Sequence, residues 1–404
     1  MNDLNDKFAN LGAENAPGQE VRQGADDLKS LMRGDVLPGT PVDFSHGDVD
    51  AFAPTPGARE AWEDGFGRGG SQAYTEYRGD AAIRDALAHR LAAFTGAPVD
   101  PVDELIITPG TQGALFLALG AVVDQGTKVA IMEPDYFANR KLVRFFGGEI
   151  MPVTLSYQDT SDETGPDMAE LEAAFRDGAK VLVFSTPNNP TGVVFSKETI
   201  TRIAALAAEH GATVIVDQLY SRLLYDGEPY THLRACGTRP DNLITIMGPS
   251  KTESLSGFRL GVAFGAAHLI ERMEKLQAIV SLRAAGYSQA ALTTWFAEPD
   301  GWLADRIAQH QAIRDDLLAI FRQAGLPTAT PQAGSYLFPQ LPELVVAPET
   351  FVRLLRIQSG VTVTPGSEFA PHTASSVRLN FSQDRTAAVA AAHRIVEMVE
   401  RYRA

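Results

Sequence analysis

Short apolar runs alternate with longer amphipathic stretches through the middle of the chain. The apolar runs predict strands over 105–108, 128–132, 180–184, 212–216, 243–247 and 260–264. Most of these runs are continuously apolar, which indicates a largely parallel sheet covered on both faces. The amphipathic stretches between them predict helices over 79–95, 111–123, 137–147, 167–177 and 197–210. This alternation predicts an α/β layered fold.

The two ends of the chain have different patterns. Residues 1 to about 40 are polar and rich in Gly and Asp, which predicts an arm or a short helix. Amphipathic helices are expected over 266–283 and 301–325. Beyond them, short strands (335–339, 361–363, 376–380) mix with helices (348–358, 384–402), which predicts a second, smaller α+β domain.

Composition narrows the possible functions. The chain has 404 residues, enough for two or three domains, and a formal net charge of −15. That charge argues against binding nucleic acid or an anionic membrane surface. The single cysteine, Cys236, excludes an intrachain disulfide framework and a multi-cysteine metal site, and we expect no metal. With no apolar signal core and no long apolar span, we expect a cytoplasmic protein.

One glycine motif matches a cofactor-binding loop in its spacing only. The stretch Gly65-Phe-Gly-Arg-Gly-Gly70 matches the spacing of a dinucleotide-binding loop. It neither follows a predicted strand nor opens a predicted helix, so the structural context of that loop is missing. We expect a flexible loop here.

Polar residues follow several predicted strands, where ligands bind in open α/β sheets. The Gly110-Thr-Gln112 turn precedes a helix and suits an anion, although Thr111 is also an ordinary helix cap. The rigid stretch STPNNPTGVVF, residues 185–195, offers the amide of Asn189 to a ligand, or is a plain turn. Asp217 and Tyr220 follow another strand, and a carboxylate there suits a protonated ring nitrogen.

Three cations lie on or beside predicted strands. Lys251 lies on a loop of small residues after a strand, where a lysine is either solvated or a nucleophile toward carbonyls. Arg259 precedes the next strand and suits a phosphate group. Arg378 lies inside a short apolar strand and needs a partner, either a ligand carboxylate or a structural ion pair.

Taken in order, these motifs resemble the class I/II aminotransferases, which are fold type I enzymes that use pyridoxal 5'-phosphate (PLP). The motifs are the Gly-Thr turn, NNPTG, DQLY, SKTESLSGFRLG and VRLNF. Their spacing makes the resemblance specific: 28 residues separate Asn189 from Asp217, 34 separate Asp217 from Lys251, and 127 separate Lys251 from Arg378. The resemblance extends from about residue 44 to the end.

The resemblance implies a role for each matching residue. Lys251 would form the Schiff base with PLP and carry protons, Asp217 would pair with the pyridine nitrogen, and Asn189 and Tyr220 would bind the 3'-oxygen. Further residues would hold the cofactor or the substrate: Tyr136 by stacking on the ring, Gly110, Thr111, Gln112, Ser250 and Arg259 at the phosphate, Tyr74 at the phosphate of a neighbouring subunit, and Gly47 with Arg378 at the substrate α-carboxylate.

The resemblance also implies an architecture and an activity. We expect an N-terminal arm (1–47), a large domain (48–290) with a mostly parallel seven-stranded sheet sandwiched by helices, and a small domain (291–404). The expected reaction is ping-pong transamination between an L-amino acid and a 2-oxo acid, either 2-oxoglutarate or pyruvate, in a homodimer with shared active sites. The alternative is a PLP-dependent lyase, decarboxylase or oxidative deaminase on the same scaffold.

The substrate depends on Arg283. Its segment, SLRAAGYSQAAL, resembles the one whose arginine reaches a distal carboxylate across the dimer in aspartate aminotransferases, after a shift of one residue. If Arg283 does so, the donors are aspartate or glutamate. If it merely ends a long helix, the side-chain pocket prefers neutral or aromatic groups.

The sequence departs from its relatives at Gly248, where many carry Ser or Thr that contacts the phosphate. We therefore expect one phosphate contact to be missing or replaced. Position 137 and the DYFANRK stretch also differ, which leaves a standard substrate pocket in doubt.

Two non-enzyme functions fit less well. A transcription regulator on this fold needs a basic DNA-binding domain, and the first 40 residues are short and not basic. A plain binding protein has no need of a lysine, an aspartate and two arginines at cofactor spacing.

Overall fold

The structure, a computed structural model, describes residues 4–9, 11–12, 16, 18–19, 23–24, 26–158 and 164–404. The strands are β1 Val42–Asp43, β2 Leu105–Pro109, β3 Lys128–Glu133, β4 Glu149–Ser156, β5 Gly165–Pro166, β6 Val181–Ser185, β7 Thr213–Asp217, β8 Leu243–Met247, β9 Leu260–Gly265, β10 Tyr336–Leu337, β11 Val361–Thr362, β12 Thr364–Pro365 and β13 Val377–Asn380. The α-helices are α1 Leu4–Ala9, α2 Ala58–Gly67, α3 Gly70–Ala73, α4 Ala81–Thr95, α5 Gly110–Val122, α6 Phe137–Phe145, α7 Met168–Arg176, α8 Lys197–Glu209, α9 Ala267–Val280, α10 Gly286–Gln289, α11 Trp302–Gln323, α12 Pro348–Ser359 and α13 Arg385–Tyr402.

The main sheet has the strand order β2-β9-β8-β7-β6-β3-β4-β5. Its centre, from β8 to β4, is parallel, whereas β9 runs antiparallel to both of its neighbours. The register pairs Ser185 with Asp217 and Asp217 with Ile246. The carboxyl ends of β6, β7 and β8 therefore meet at one edge of the sheet, which is where the site is built.

The apolar runs form these strands because both faces of the sheet are covered. In β3, Ala130 and Met132 pack into a cluster with α7 and α8, and Val129 and Ile131 pack into a cluster with α5, α6 and α9. All four side chains are fully buried. Complete burial of a Val, Ile or Met side chain contributes roughly 1.5–3 kcal/mol, so the sheet is a rigid support for the loops at its edge.

Among the described residues, the main sheet has eight strands, where seven were expected. The additional strand, β5, is a two-residue segment that pairs antiparallel with β4 at the edge. The pattern of apolar runs did not predict β4, because this strand contains Pro152 and is partly exposed.

The glycine stretch over residues 65–70 is not a loop, so the expectation of a flexible loop was wrong. Residues 65–67 end α2 and Gly70 begins α3. Gly65 is buried because its backbone packs tightly: an added Cβ would lie 2.7 Å from the carbonyl oxygen of Tyr287. Gly65 therefore serves helix packing.

The smaller sheets join the two ends of the chain. β1 pairs in parallel with β11, and β10, β13 and β12 form an antiparallel sheet. One apolar cluster extends from Leu28 and Phe44 to α11, α12 and α13. The segment from Leu28 to Phe44 is thereby fixed against the C-terminal third of the chain.

Within the ranges described above, no helix is both long and apolar enough to cross a membrane.

Candidate active site

A cavity of about 240 Å³ opens at the carboxyl edge of the main sheet. Most of the residues predicted from the sequence line it: Thr111, Gln112, Tyr136, Asn189, Asp217, Tyr220, Ser250, Lys251, Arg259 and Arg378. They come from segments far apart in the chain. The sheet register and the strand-end loops bring them together.

One end of the cavity suits an anion. Gly110, with φ of +73°, begins α5, and its missing side chain lets Arg259 approach: an added Cβ would lie 2.3 Å from Nη2 of that arginine. The free N–H groups at the start of α5, the guanidinium and the hydroxyl groups of Thr111 and Ser250 converge there. A helix N-terminus with an arginine is a suitable phosphate site.

The departure at Gly248 has a steric reason. A Cβ on Gly248 would lie 2.8 Å from the methyl carbon of Thr111 and 3.2 Å from the Cα of Gly261. The glycine thus makes room for Thr111, which lines the anion end of the cavity.

The carboxylate of Asp217 lies on another wall of the cavity. Its Oδ1 accepts a hydrogen bond of 3.0 Å from the backbone N–H of Leu219. Burial raises the pKa of Asp217 to about 6, although that hydrogen bond opposes the change. In the described part of the chain no Lys, Arg or His forms an ion pair with this carboxylate, so its electrostatics suit a cationic ligand atom.

The pKa of Asp217 yields a stability prediction. A carboxyl group with a pKa of 3.8 in the unfolded chain and about 6 in the folded chain destabilises the fold as pH rises through that window. For the cofactor-free protein, Asp217→Asn should remove about 2 kcal/mol of this loss between pH 4 and pH 8, less than the full pKa difference because the mostly buried side chain keeps some contact with solvent. Urea unfolding of both proteins at the two pH values measures it. An identical pH dependence for wild type and variant would contradict the prediction.

Hydrogen bonds hold the corner after β6. The hydroxyl of Ser185 donates to Asp135 and accepts from the backbone N–H of Asn189 at 3.1 Å. The backbone N–H of Ser185 donates to Asp135 Oδ2 at 2.9 Å. This corner is therefore a preorganised turn that fixes the amide of Asn189 at the cavity.

Asp135 was missed by the sequence reasoning. Burial raises its pKa to about 8, its hydrogen bonds to Ser185 and Tyr136 oppose the rise, and the nearby charge of Asp217 adds to it. Its position directly before Tyr136 was the only available signal, and the sequence does not show that it contacts Ser185, fifty positions away.

Arg378 is buried without a carboxylate. Its Nη1 donates to Oδ1 of Asn189 at 3.1 Å and its Nη2 donates to the carbonyl oxygen of Ser45 at 2.9 Å. The guanidinium lies 4.4 Å from the ring centroid of Tyr336. Within the described ranges no Asp or Glu forms an ion pair with it, so a structural ion pair does not explain this arginine.

Lys251 is half-buried on the loop that follows β8. The loop is held by a hydrogen bond from the N–H of Leu255 to the carbonyl of Pro249 at 3.0 Å. No described group hydrogen-bonds the lysine amine, which lines the cavity. An amine that is positioned but unpaired is available to a ligand.

Tyrosines form the remaining walls. Tyr136 donates from its hydroxyl to Gln112 Oε1 at 2.8 Å. Tyr220 donates from its hydroxyl to that of Tyr336 at 2.6 Å. Tyr336 was also missed: it lies in the predicted strand 335–339, where an aromatic residue fits an apolar core equally well.

The structure does not bring every predicted residue into this cavity. Gly47 lines an adjoining cavity of about 280 Å³ that shares Lys251 with the first. Tyr74 is 81% exposed, and the guanidinium of Arg283 lies 5.5 Å from its ring centroid. Neither Tyr74 nor Arg283 lines the cavity of its own chain.

Among the residues whose structure is described, no cluster of His, Cys, Asp and Glu has the makings of a metal site.

Comparison with known proteins agrees with this geometry. Residues 40–395 match the sequence profile of the family described as aminotransferase class I and II. The chain is 30% identical to the aspartate/prephenate aminotransferase of Thermus thermophilus over 379 residues, which cover 92% of this chain and 90% of the relative. It is 28% identical over 329 residues to the human kynurenine–oxoglutarate transaminase 1, covering 74% and 78% of the two chains. A crystal structure of an aspartate aminotransferase from Rhodobacter sphaeroides is similar over 100% of both chains, with 64% sequence identity and a TM-score of 0.95. The chain belongs to the class I and II aminotransferases.

Proposed function

We propose that this protein is an aspartate- or glutamate-type aminotransferase whose cavity holds PLP beside Lys251, with 2-oxoglutarate as an amino acceptor. The observation that carries the proposal is the convergence on one cavity of three charged groups that form no ion pair within the described residues: the amine of Lys251, the carboxylate of Asp217 and the guanidinium of Arg378. The family is PLP-dependent and transfers amino groups to 2-oxo acids.

The residues present fit PLP. Gly110, Thr111, Gln112, Ser250 and Arg259 would hold its phosphate, Asn189 and Tyr220 its 3'-oxygen, Asp217 its ring nitrogen, and Tyr136 one face of the ring. When bound, PLP supplies an electron sink for a carbanion at the substrate Cα. The unpaired carboxylate of Asp217 supports this assignment, because a protonated ring nitrogen would supply the missing cation.

The chain's own residues would then bind the substrate and move its proton. Arg378 grips the α-carboxylate through a bidentate contact, while Asn189 and the Ser45 carbonyl keep its guanidinium in place. The amine of Lys251 serves as the general base that removes the proton from Cα. The backbone at Gly47 closes the pocket on the carboxylate side.

The names of two similar proteins support the dicarboxylic substrate: the Rhodobacter sphaeroides structure is an aspartate aminotransferase, and the Thermus thermophilus relative acts on aspartate and prephenate. Arg283 would supply the cation for the distal carboxylate. It lies beside Tyr74, away from the cavity of its own chain, which supports delivery to a partner subunit.

A panel of amino acid donors tests the reaction and the substrate. Each donor is mixed with PLP-loaded protein, the half-reaction spectrum is followed, and 2-oxoglutarate or pyruvate is then added. Aspartate and glutamate should react fastest, and Arg283→Ala should slow them while sparing neutral donors. Product formation without consumption of a 2-oxo acid would instead indicate a lyase, a decarboxylase or an oxidative deaminase.

We also propose a homodimer with shared active sites. Large apolar side chains are exposed near the segment that carries Tyr74 and Arg283: Trp62 stacks on Phe66, and Ile279 is 81% exposed. Such a patch on a protein surface indicates a protein interface. The net charge of −15 and the single buried cysteine support a cytoplasmic protein without a nucleic-acid or membrane partner.

The shared site predicts an effect of Tyr74 on cofactor retention. If its hydroxyl binds the partner's cofactor phosphate, Tyr74→Phe should raise the PLP dissociation constant about tenfold or more, the loss of one hydrogen bond to a charged group. Equilibrium dialysis measures this constant. Tyr77→Phe is the matched control, because Tyr77 is also exposed and also lies against Arg283, at 5.6 Å. Equal PLP affinity in wild type and Tyr74→Phe would count against the shared site.

A further inference from the structure

Two tyrosine hydroxyls meet inside the cavity. The hydroxyl oxygens of Tyr220 and Tyr336 lie 2.6 Å apart, and their ring planes are inclined at 77°. Both residues are buried, and both line the cavity together with Lys251. Tyr220 follows β7 of the main sheet and Tyr336 belongs to β10, so the pair also joins two sheets.

The number of protons limits how this pair can bind a ligand. Each phenol carries one hydrogen, so each donates one hydrogen bond at a time. In the structure Tyr220 donates to Tyr336. If Tyr220 instead donates to an anionic oxygen in the cavity, the contact between the tyrosines persists only if Tyr336 becomes the donor. The direction of this hydrogen bond is therefore linked to occupancy of the cavity.

The surrounding charges make the two tyrosines unequal. Lys251, Arg378, Asp217 and the phenol of Tyr136 face the pair. Burial raises the pKa of Tyr336, but the positive charges of Lys251 and Arg378 and the hydrogen bond from Tyr220 outweigh it, so that pKa is lowered. Burial and the neighbouring Tyr336 raise the pKa of Tyr220 well above the ordinary value. Tyr220 thus keeps its proton, and Tyr336 is the member of the pair whose protonation responds to the surrounding charges.

We propose that Tyr336 is a positioning residue that acts through Tyr220: it donates to Tyr220 while Tyr220 donates to the 3'-oxygen of PLP, and so strengthens that second hydrogen bond. This inference rests on the proposed function, in which Tyr220 binds the ring oxygen. A hydroxyl that accepts one hydrogen bond is polarised by it and donates a stronger hydrogen bond to an anion. The stronger hydrogen bond stabilises negative charge on the 3'-oxygen. Tyr336 would therefore lower the pKa at which the PLP-bound site loses a proton beside Lys251.

The ring of Tyr336 has a separate task. The guanidinium of Arg378 lies 4.4 Å from its centroid, a cation–π distance. Tyr336→Phe keeps this ring and removes only the hydroxyl. The variant consequently isolates the hydrogen bond and should leave KM for amino donors nearly unchanged.

The test is the pH midpoint of the visible absorption change of the PLP-loaded protein. Tyr336→Phe should raise this midpoint by about 0.5–1 pH unit, a shift that corresponds to the free energy of one neutral hydrogen bond. In a Tyr220→Phe background the same change should have no further effect, because the hydroxyl acts through Tyr220. Tyr225→Phe is the matched control: its buried hydroxyl donates to the carbonyl of Gly334, two residues from Tyr336, and its loss should not move the midpoint. An unchanged midpoint in Tyr336→Phe, or an equal shift in Tyr225→Phe, overturns the inference.

A second measurement needs no cofactor. Ultraviolet titration of the cofactor-free protein should show one tyrosine that ionises below the ordinary value of about 10, and Tyr336→Phe should lack it. If this low-pH tyrosine is absent from the wild type, the proposed pair is wrong. Failure of added PLP to produce any visible band would instead contradict the proposed function, so the two failures are distinguishable.

Discussion

Replacing Lys251 with alanine is expected to lower kcat/KM for aspartate by at least about 10⁴-fold, because the variant would lack the proposed general base at Cα. It would also lack the amine proposed to tie the cofactor to the chain, so the PLP-loaded protein should lose its visible colour on dialysis. Steady-state kinetics with aspartate and 2-oxoglutarate and a visible spectrum after dialysis measure the two effects.

A surface lysine provides the control for Lys251. Lys275 forms an exposed ion pair with Glu271 one turn away on α9. Lys275→Ala should retain full activity and colour, since exposed pairs of this kind contribute little. Comparable activity in wild type and Lys251→Ala would show that another residue moves the proton.

The second large effect is expected at Arg378. Arg378→Ala should lower kcat/KM about 10²- to 10³-fold for every amino donor, mainly through KM, because a buried carboxylate would lose its charged partner. Arg378→Lys should recover only part of the loss, since a lysine keeps the charge but lacks the planar fork. Kinetics across the donor panel measure both variants.

The pattern across donors decides whether Arg378 binds the α-carboxylate. A residue that contacts this group, which all amino acids share, must affect all donors alike. A loss confined to aspartate and glutamate would place Arg378 at the distal carboxylate and contradict the assignment. Arg394, whose guanidinium bonds to the carbonyls of Thr40 and Ser359, is a control for loss of a buried structural arginine: Arg394→Ala should lower stability without raising KM.

The main sheet was predictable from the sequence because its strands are buried on both faces. Continuous apolar runs such as those within 180–184 and 243–247 have few alternatives to a central strand, and the loops after them had to meet at one edge. β4 was missed because a strand with one exposed face and a proline lacks that pattern.

The site was predictable where a residue type has a specific chemical use and lies at a strand end. Lys251 and Asp217 meet this condition, and Arg378 stood out as a charged residue inside a short apolar strand. Asp135 and Tyr336 do not, because their importance depends on contacts with Ser185 and Tyr220 across long distances in the chain. Such contacts follow from tertiary packing and leave no local pattern.

The hydrogen bonds that hold the Arg378 guanidinium have a thermodynamic consequence. Its guanidinium is bonded by the Ser45 carbonyl ahead of the main sheet, by Asn189 at the end of β6, and by the Thr364 hydroxyl at 3.4 Å in the smaller sheet. A ligand that orders this one side chain restrains all three regions at once. Occupied protein should therefore resist heat as a single cooperative unit, even though its halves have separate apolar interiors.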